Sequence, residues 1–184
     1  MDSRRREVLK LAAVATLVGR ADLNPAASAP PPADPTHDKA TPADRRTGMR
    51  TRPLMTLRLE TAPTQEVGAG PHGTRGTYPI TGGSFEGDRL RGKVLPGGDD
   101  WTVKRPDGVV ELDLRITLQT DDGALIHMTF EGMRDDAAPG APYFRTLPRF
   151  ETAEPKYSFL NRLLAVGTGK IGADGPVHLI EELL

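Results

Sequence analysis

Apolar and polar residues alternate along much of the chain after residue 53. The clearest segment spans residues 110–118, where every second residue is apolar and the residues between are mostly charged or polar. Successive side chains of a β-strand point to opposite faces, whereas an α-helix would spread the same leucines around its circumference. The pattern therefore predicts a strand with one buried face and one polar face.

The residues after this segment predict a β-hairpin. Thr120-Asp121-Asp122-Gly123 places an acidic pair before a glycine, which suits a type I turn closed by a residue at positive φ. If the loop is 121–123, Thr120 pairs with Ala124. On the apolar face, the opposing pairs are then Leu118 with Ile126, Ile116 with Met128 and Leu114 with Phe130. On the polar face, they are Thr117 with His127, Arg115 with Thr129 and Asp113 with Glu131. A shift by one residue would mix the apolar and polar faces.

Further short strands are predicted on both sides of the hairpin. They cover residues 54–60, 76–81, 90–95, 101–104, 144–151, 163–167 and 177–181, and glycine-containing turns separate many of them. Strands recurring about every ten residues predict a closed barrel or a sandwich. Only residues 157–162 have a helical pattern, and only for a turn or two. The prediction is an all-β fold with at most one short helix.

The N-terminal 29 residues resemble a twin-arginine export signal. Arg5 and Arg6 precede a variable residue, two apolar residues and Lys10, and the apolar stretch 11–18 is too short to span a bilayer. Ala27-Ser28-Ala29 matches the small-x-small pattern of a signal-peptidase site. We therefore predict a partner in the twin-arginine export machinery and a periplasmic or secreted mature protein without membrane attachment. The alternative is a basic amphipathic helix on a cytoplasmic protein.

Composition defines the remaining organisation. Residues 30–52 contain five prolines and almost no apolar side chains, which predicts a disordered spacer before a single domain at 53–184. The 24 basic and 25 acidic residues leave a net charge of -1, which argues against a nucleic-acid partner. The absence of cysteine excludes disulfides, thiolate nucleophiles and cysteine-bound metal.

No motif for a metal or a cofactor is predicted. His37, His72, His127 and His178 lack paired metal-ligand spacing. The glycine-rich segment 82–87 lacks the lysine and the following helix of a phosphate-binding loop.

Several blocks of the sequence have a family pattern. They occupy residues 71–75, 79–87, 92–101 and 105–108, and later 120–124, 144–151 and 160–162. Among them are Gly97-Gly98-Asp99-Asp100-Trp101 and Arg105-Pro106-Asp107-Gly108. Together these blocks resemble the bacterial and fungal family catalogued as domain of unknown function 3237, from about residue 54 to the C-terminus. The resemblance implies an antiparallel up-and-down β-barrel, lipocalin-like in size, with an interior large enough for a small molecule.

The polar face of the hairpin is the main candidate for catalysis. Asp113, Arg115 and His127 would combine a carboxylate, a guanidinium and an imidazole, so that Arg115 clamps a substrate oxygen while Asp113 or His127 moves a proton. The family resemblance implies that this face lines an enclosed hollow, since a barrel of about eight strands can hold one small ligand; alternation by itself does not show which face is inside. The alternative is a solvated exterior with ion pairs of little energetic weight.

Other polar or aromatic residues are candidates for ligand binding. These are Arg75, Asp100, Trp101, Glu131, Tyr143, Glu151 and Asn161. Trp101 could stack on a ring-shaped ligand or fill the core, and Arg75 could face an anion or only solvent. Asn161 could equally cap or bridge backbone groups.

The sequence thus predicts an exported barrel that binds a small oxygenated or aromatic compound. As an enzyme it would be a cofactor-independent lyase, isomerase or hydrolase. The competing hypotheses are a non-catalytic carrier or accessory protein and a structural module with a filled barrel. Assembly into a homo-oligomer is compatible with each of these.

Overall fold

The structure, a computed structural model, describes residues 48–184. The predicted export signal at 1–29 and most of the predicted spacer at 30–52 lie outside the described residues. The first strand begins at Thr51, two residues before the predicted start of the domain. Within residues 48–184, no helix is long and apolar enough to cross a bilayer.

The described part of the chain contains ten strands and one 3₁₀ helix. The strands are β1 (Thr51–Thr61), β2 (Gln65–Gly70), β3 (Gly73–Glu86), β4 (Arg91–Val94), β5 (Gly98–Lys104), β6 (Val110–Thr120), β7 (Leu125–Asp135), β8 (Tyr143–Glu151), β9 (Ala165–Gly172) and β10 (Gly175–Leu183), and the 3₁₀ helix spans Pro155–Arg162 between β8 and β9. The helix includes the segment for which the sequence predicted a helical turn or two.

The strands close into an antiparallel barrel. β6 to β10 pair in chain order, β10 pairs with β1, and β1 pairs with β3. β4 and β5 both lie between β3 and β6, so together they occupy one position in the ring. With β4 and β5 counted as one position, and with β2 outside the ring because it pairs only with β3, the barrel within residues 48–184 has eight strands. This agrees with the antiparallel up-and-down barrel that the family resemblance implies.

The predicted hairpin is confirmed residue by residue. β6 and β7 pair in the expected register on both faces. The N–H of Thr120 donates to the carbonyl of Ala124 at 2.9 Å, and the N–H of Gly123 donates to the carbonyl of Thr120 at 2.9 Å. Gly123 has φ 90°, the positive angle for which the glycine was needed.

Apolar side chains fill the centre of the barrel. Leu57, Leu114, Leu118, Ile126 and Met128 have no solvent exposure. Four of them come from the apolar face of the hairpin, which therefore points inward. Burying each such side chain contributes about 1.5–3 kcal/mol, so the inward face of the hairpin stabilises the barrel.

One histidine lies within this core. His178 on β10 is 1% exposed, and its ring lies 5.0 Å from the ring centroids of Phe130 and Phe144. Its Nδ1 has no hydrogen-bond partner within residues 48–184. Burial in this apolar setting lowers the pKa of His178 to about 4, because the charged imidazolium would lose its hydration. The imidazole is therefore neutral at physiological pH.

Two features of the first strands were not predicted. β2 has only Val67 and Ala69 as an alternating pair of apolar side chains, and both are exposed. β3 continues through Gly82 and Gly83 to Glu86, five residues beyond the end of the predicted strand at 76–81. A Cβ at Gly83, which has φ 141°, would lie 2.1 Å from the carbonyl oxygen of Arg58 on β1. The glycine therefore permits the close contact of β3 with β1.

Candidate functional site

The polar face of the hairpin points out of the barrel. The side chains of Asp113 and Arg115 are 43% and 60% exposed, whereas Leu114 between them is fully buried. The expectation that this face lines an enclosed hollow is wrong, and the exterior alternative is correct. Because a strand has only two faces, removing the leucine face from water leaves the charged face outside.

The outer surface nevertheless forms a groove of about 550 Å³ across β3, β5, β6, β7 and β8. Its outward-facing side chains stand in two cross-strand rows, in which each residue opposes the next on a neighbouring strand. The first row is Trp101, Asp113, Glu131 and Leu147, and the second is Arg75, Val103, Glu111, Met133 and Arg145. Tyr143 also lines it. We call this the Trp101 groove.

Two carboxylates stand side by side in this groove. Asp113 on β6 directly opposes Glu131 on β7, and such pairs have Cβ atoms about 4.5–5.5 Å apart. The aromatic ring of Trp101 and the aliphatic side chain of Leu147 flank them in the same row. The groove therefore combines acid–base groups with surfaces that can contact an apolar ligand.

The two carboxylates have different surroundings. Arg115 Nη2 donates to Asp113 Oδ2 at 3.1 Å and Arg115 Nε to Asp113 Oδ1 at 3.3 Å, so both oxygens of Asp113 are occupied. The guanidinium carbon of Arg115 also lies 5.6 Å from the ring centroid of Trp101. Glu131 has no hydrogen bond or ion pair from any side chain in the described part of the chain. Glu131 is therefore the carboxylate of the pair that no other described side chain occupies.

Asp100 lies close to the groove but on the inward side of β5. It opposes Leu114, and its Oδ1 accepts a hydrogen bond from the backbone N–H of Asp113 at 3.2 Å. Burial raises the pKa of Asp100 to about 7, and the negative charge of Asp113 adds to this, while the hydrogen bond and the charge of Arg134 oppose it. A carboxyl group that exchanges its proton near neutral pH thus adjoins Trp101 in the sequence.

A second groove of about 550 Å³ lies on the outer surface beside the 3₁₀ helix. In the strand register Thr129 opposes Arg149 and His127 opposes Glu151. These four residues line it together with Arg162, Asn161 and the apolar residues Phe150, Leu160, Leu163 and Leu164. We call this the His127 groove.

The structure divides the predicted site. It brings Arg75, Trp101, Asp113, Glu131 and Tyr143 together in the Trp101 groove. It places His127, Glu151 and Asn161 in the His127 groove. His127 and Asp113 therefore line different grooves, because four residues along β7 separate His127 from Glu131, which opposes Asp113.

Asn161 has the bridging role that we considered as its alternative. Its Oδ1 accepts from the backbone N–H of Thr152 at 2.9 Å, and its Nδ2 donates to the carbonyl of Thr152 at 2.8 Å. Both backbone groups at the end of β8 are thereby satisfied, and the 3₁₀ helix is attached to the sheet.

Several groove residues were missed from the sequence. They are Glu111, Met133, Arg145 and Leu147 in the Trp101 groove and Thr129, Arg149 and Arg162 in the His127 groove. The missed residues on β8 could have been identified, because Tyr143, Arg145, Leu147 and Arg149 occupy alternate positions along the strand and share its exposed face. Extending the hairpin register from β7 to β8 would have placed them beside Glu131. Within residues 48–184, no cluster of three or more acidic or histidine side chains is arranged to hold a metal ion.

Comparisons with known proteins identify relatives along most of the chain. The family model described as "Protein of unknown function (DUF3237)" matches residues 49–181. A UPF0311 protein of Rhodopseudomonas palustris is 32% identical over 149 residues, covering 74% of this chain and 97% of that protein. The crystal structure of a β-barrel-like protein of Acinetobacter baumannii has a TM-score of 0.71 and 34% identity, covering 74% of this chain and 96% of that one.

A more distant relative is named for an activity. A hydroalkoxylation enzyme of Penicillium herquei is 36% identical over 89 residues, which cover 48% of this chain and 53% of that enzyme. The match thus spans about half of each protein.

Proposed function

The chain belongs to the family of proteins of unknown function designated DUF3237, and on that premise we propose that it is a small-molecule enzyme acting without a cofactor in the Trp101 groove. Its reaction is proton transfer on an oxygenated aromatic compound. The observation that carries the proposal is the row Trp101, Asp113, Glu131 and Leu147, which places paired carboxylates between an aromatic and an aliphatic surface. General acid–base catalysis by a positioned carboxylate contributes about 10²–10⁴-fold to a rate.

The proposed chemistry is the addition of a hydroxyl group across a carbon–carbon double bond. Glu131 removes the hydroxyl proton, the oxygen forms a bond to one alkene carbon, and the π bond breaks. The other alkene carbon then takes a proton, which the Glu131 carboxyl returns. When both groups belong to one substrate the reaction is an isomerisation, so it consumes no oxidant, reductant or cofactor.

The neighbouring residues support this assignment of roles. Trp101 offers a ring face on which an aromatic substrate can stack, and Arg115 holds Asp113 in place beside Glu131. Asp113 and Arg115 therefore position the site, while Glu131 touches the reacting hydroxyl. The relative from Penicillium herquei is named for a reaction of this class.

A carrier is the second candidate, and the openness of the groove favours it. Trp101 and Leu147 at its edges are 37% and 61% exposed, so a ligand would keep contact with water. An enzyme gains more from its charged groups when water is excluded. A carrier requires only reversible binding in the same groove.

Turnover of simple alkenylphenols distinguishes the two candidates. The protein is incubated with 2-allylphenol and its longer homologues, and cyclic ether isomers of unchanged mass are resolved by chromatography with mass detection. We expect conversion by the wild type, a loss of about a hundredfold or more in Glu131→Gln, and no loss in Glu86→Gln, a matched exposed glutamate on β3. Binding without conversion would support the carrier, and full activity of Glu131→Gln would contradict the proposed mechanism.

A further inference from the structure

The His127 groove is built on a fixed framework. Its helical side is held to β8 by the two hydrogen bonds of Asn161. Thr152 Oγ1 in turn donates to the carbonyl of Leu125 at 2.7 Å, and the hydroxyl of Tyr157 donates to the Asp122 carboxylate at 3.0 Å. Tyr157 and Leu160 are buried beneath the helix. A ligand would thus meet a preformed wall, which reduces the entropy that binding costs.

The charges in this groove are unbalanced. Arg149 and Arg162 both line it, against the single carboxylate of Glu151. Neither guanidinium forms a hydrogen bond or ion pair with another side chain within residues 48–184, whereas Arg115 and Arg134 on the same sheet each bind a carboxylate. All five N–H donors of Arg149 and all five of Arg162 are therefore available to a ligand.

From this arrangement we propose that the His127 groove is a second binding site, for a small organic carboxylate. A planar guanidinium matches a carboxylate through two parallel hydrogen bonds, and the groove holds two of them. The hydroxyl of Thr129, directly opposite Arg149, provides one further donor. The proposal does not depend on the function assigned to the Trp101 groove.

Two features favour an organic monoanion over inorganic phosphate. Leu163 and Leu164 line the groove beside Arg162, so a ligand with an apolar body gains contact there that phosphate cannot make. Glu151 faces the same space, and its charge repels a dianion more strongly than a monoanion. Benzoate, which combines one carboxylate with an apolar ring, is therefore a suitable probe.

Backbone-amide NMR titrations with sodium benzoate and with inorganic phosphate test the proposal. Benzoate should shift the amides of residues 127–129, 149–151 and 161–164 saturably, and phosphate should bind more weakly. Arg149→Gln and Arg162→Gln should each weaken benzoate binding about tenfold or more, since a hydrogen bond to a charged group is lost. Arg58→Gln, at an exposed arginine on β1, should leave the affinity unchanged.

A further variant tests the role of charge. Glu151→Gln should strengthen benzoate binding and reduce the preference over phosphate, because the repelling carboxylate is removed. Arg149 and Arg162 are exposed, and unchanged amide spectra of their variants without benzoate would show that they fold. The proposal is overturned if benzoate causes no saturable shift at these residues, if both arginine variants bind like the wild type, or if phosphate binds as tightly as benzoate.

Discussion

The two faces of the β6–β7 hairpin have opposite roles although their residues alternate along the same strands. The inward face consists of Leu112, Leu114, Ile116 and Leu118 with their partners on β7, and it fills the barrel. The outward face presents the carboxylates and Arg115. Adjacent residues of one strand thus have different roles: one stabilises the fold, and the next presents a polar group on the surface.

This comparison indicates where a ligand can bind in a filled barrel. Because the inward side chains pack on one another, the described interior is occupied at the level of the hairpin. The outer surface is concave where five strands contribute long side chains. Substitutions on the inward face should therefore change stability, whereas substitutions on the outward face should change binding and turnover.

The largest effect on stability is expected at the centre of the inward face. Leu114→Ala removes a fully buried side chain and leaves a cavity, so the free energy of unfolding should fall by about 2–5 kcal/mol. Urea unfolding of the variant and the wild type measures this difference. A change below about 1 kcal/mol would show that Leu114 is not a central packing residue.

The next effect concerns the buried histidine and depends on pH. The pKa of His178 is about 4 in the fold against 6.5 in the unfolded chain. As the pH falls from about 6.5 to 4, His178 binds a proton in the unfolded state but not in the native state. The free energy of unfolding of the wild type should therefore fall by about 3 kcal/mol.

His178→Leu is the matching variant, since leucine has a similar volume and carries no proton. Urea unfolding at about pH 7 and pH 4.5 should show a smaller loss in this variant than in the wild type by about 2 kcal/mol. Equal losses in both proteins would mean that His178 is protonated in the native barrel. The difference between the two proteins isolates this histidine from the other groups that titrate in acid.

The smallest effect on stability is expected on the outward face. Arg115→Ala removes an exposed ion pair with Asp113, so the free energy of unfolding should change by no more than about 0.5–1 kcal/mol. Turnover in the Trp101 groove should nevertheless fall, because Asp113 is no longer held beside Glu131. Thermal unfolding measures the stability of the variant, and the alkenylphenol assay measures its turnover. A loss of stability equal to that of Leu114→Ala would contradict the distinction between the two faces.

The hairpin could be predicted fully from the sequence, but its orientation could not. Strict alternation from Val110 to Leu118 and the Asp-Asp-Gly turn determine the register, since a one-residue shift would mix the faces. Alternation is the same whether a polar face borders a hollow or solvent. The orientation of the hairpin depends on how much of the barrel interior the apolar side chains of the other strands fill. That volume is known only once all strands are placed in the closed barrel.

The grooves depend on pairings between distant parts of the chain. Trp101 reaches Asp113 through β5 and β6, and Leu147 reaches Glu131 through β7 and β8. The sequence identified Trp101, Asp113 and Glu131 by their chemistry but did not align β8 with β7, so Leu147, Arg145 and Arg149 were missed. β2 was missed because two apolar residues, Val67 and Ala69, are too short a pattern to indicate a strand.

Side-chain methyl NMR tests most directly the claim that the ligand site lies on the outward face. Met133 on β7 and Leu147 on β8 point outward and line the Trp101 groove, whereas Met128 on β7 and Leu114 on β6 are buried inside the barrel. During a titration with 2-allylphenol, the methyl signals of Met133 and Leu147 should shift saturably, and those of Met128 and Leu114 should stay unchanged. Saturable shifts confined to Met128 and Leu114 would place the ligand inside the barrel and contradict the account.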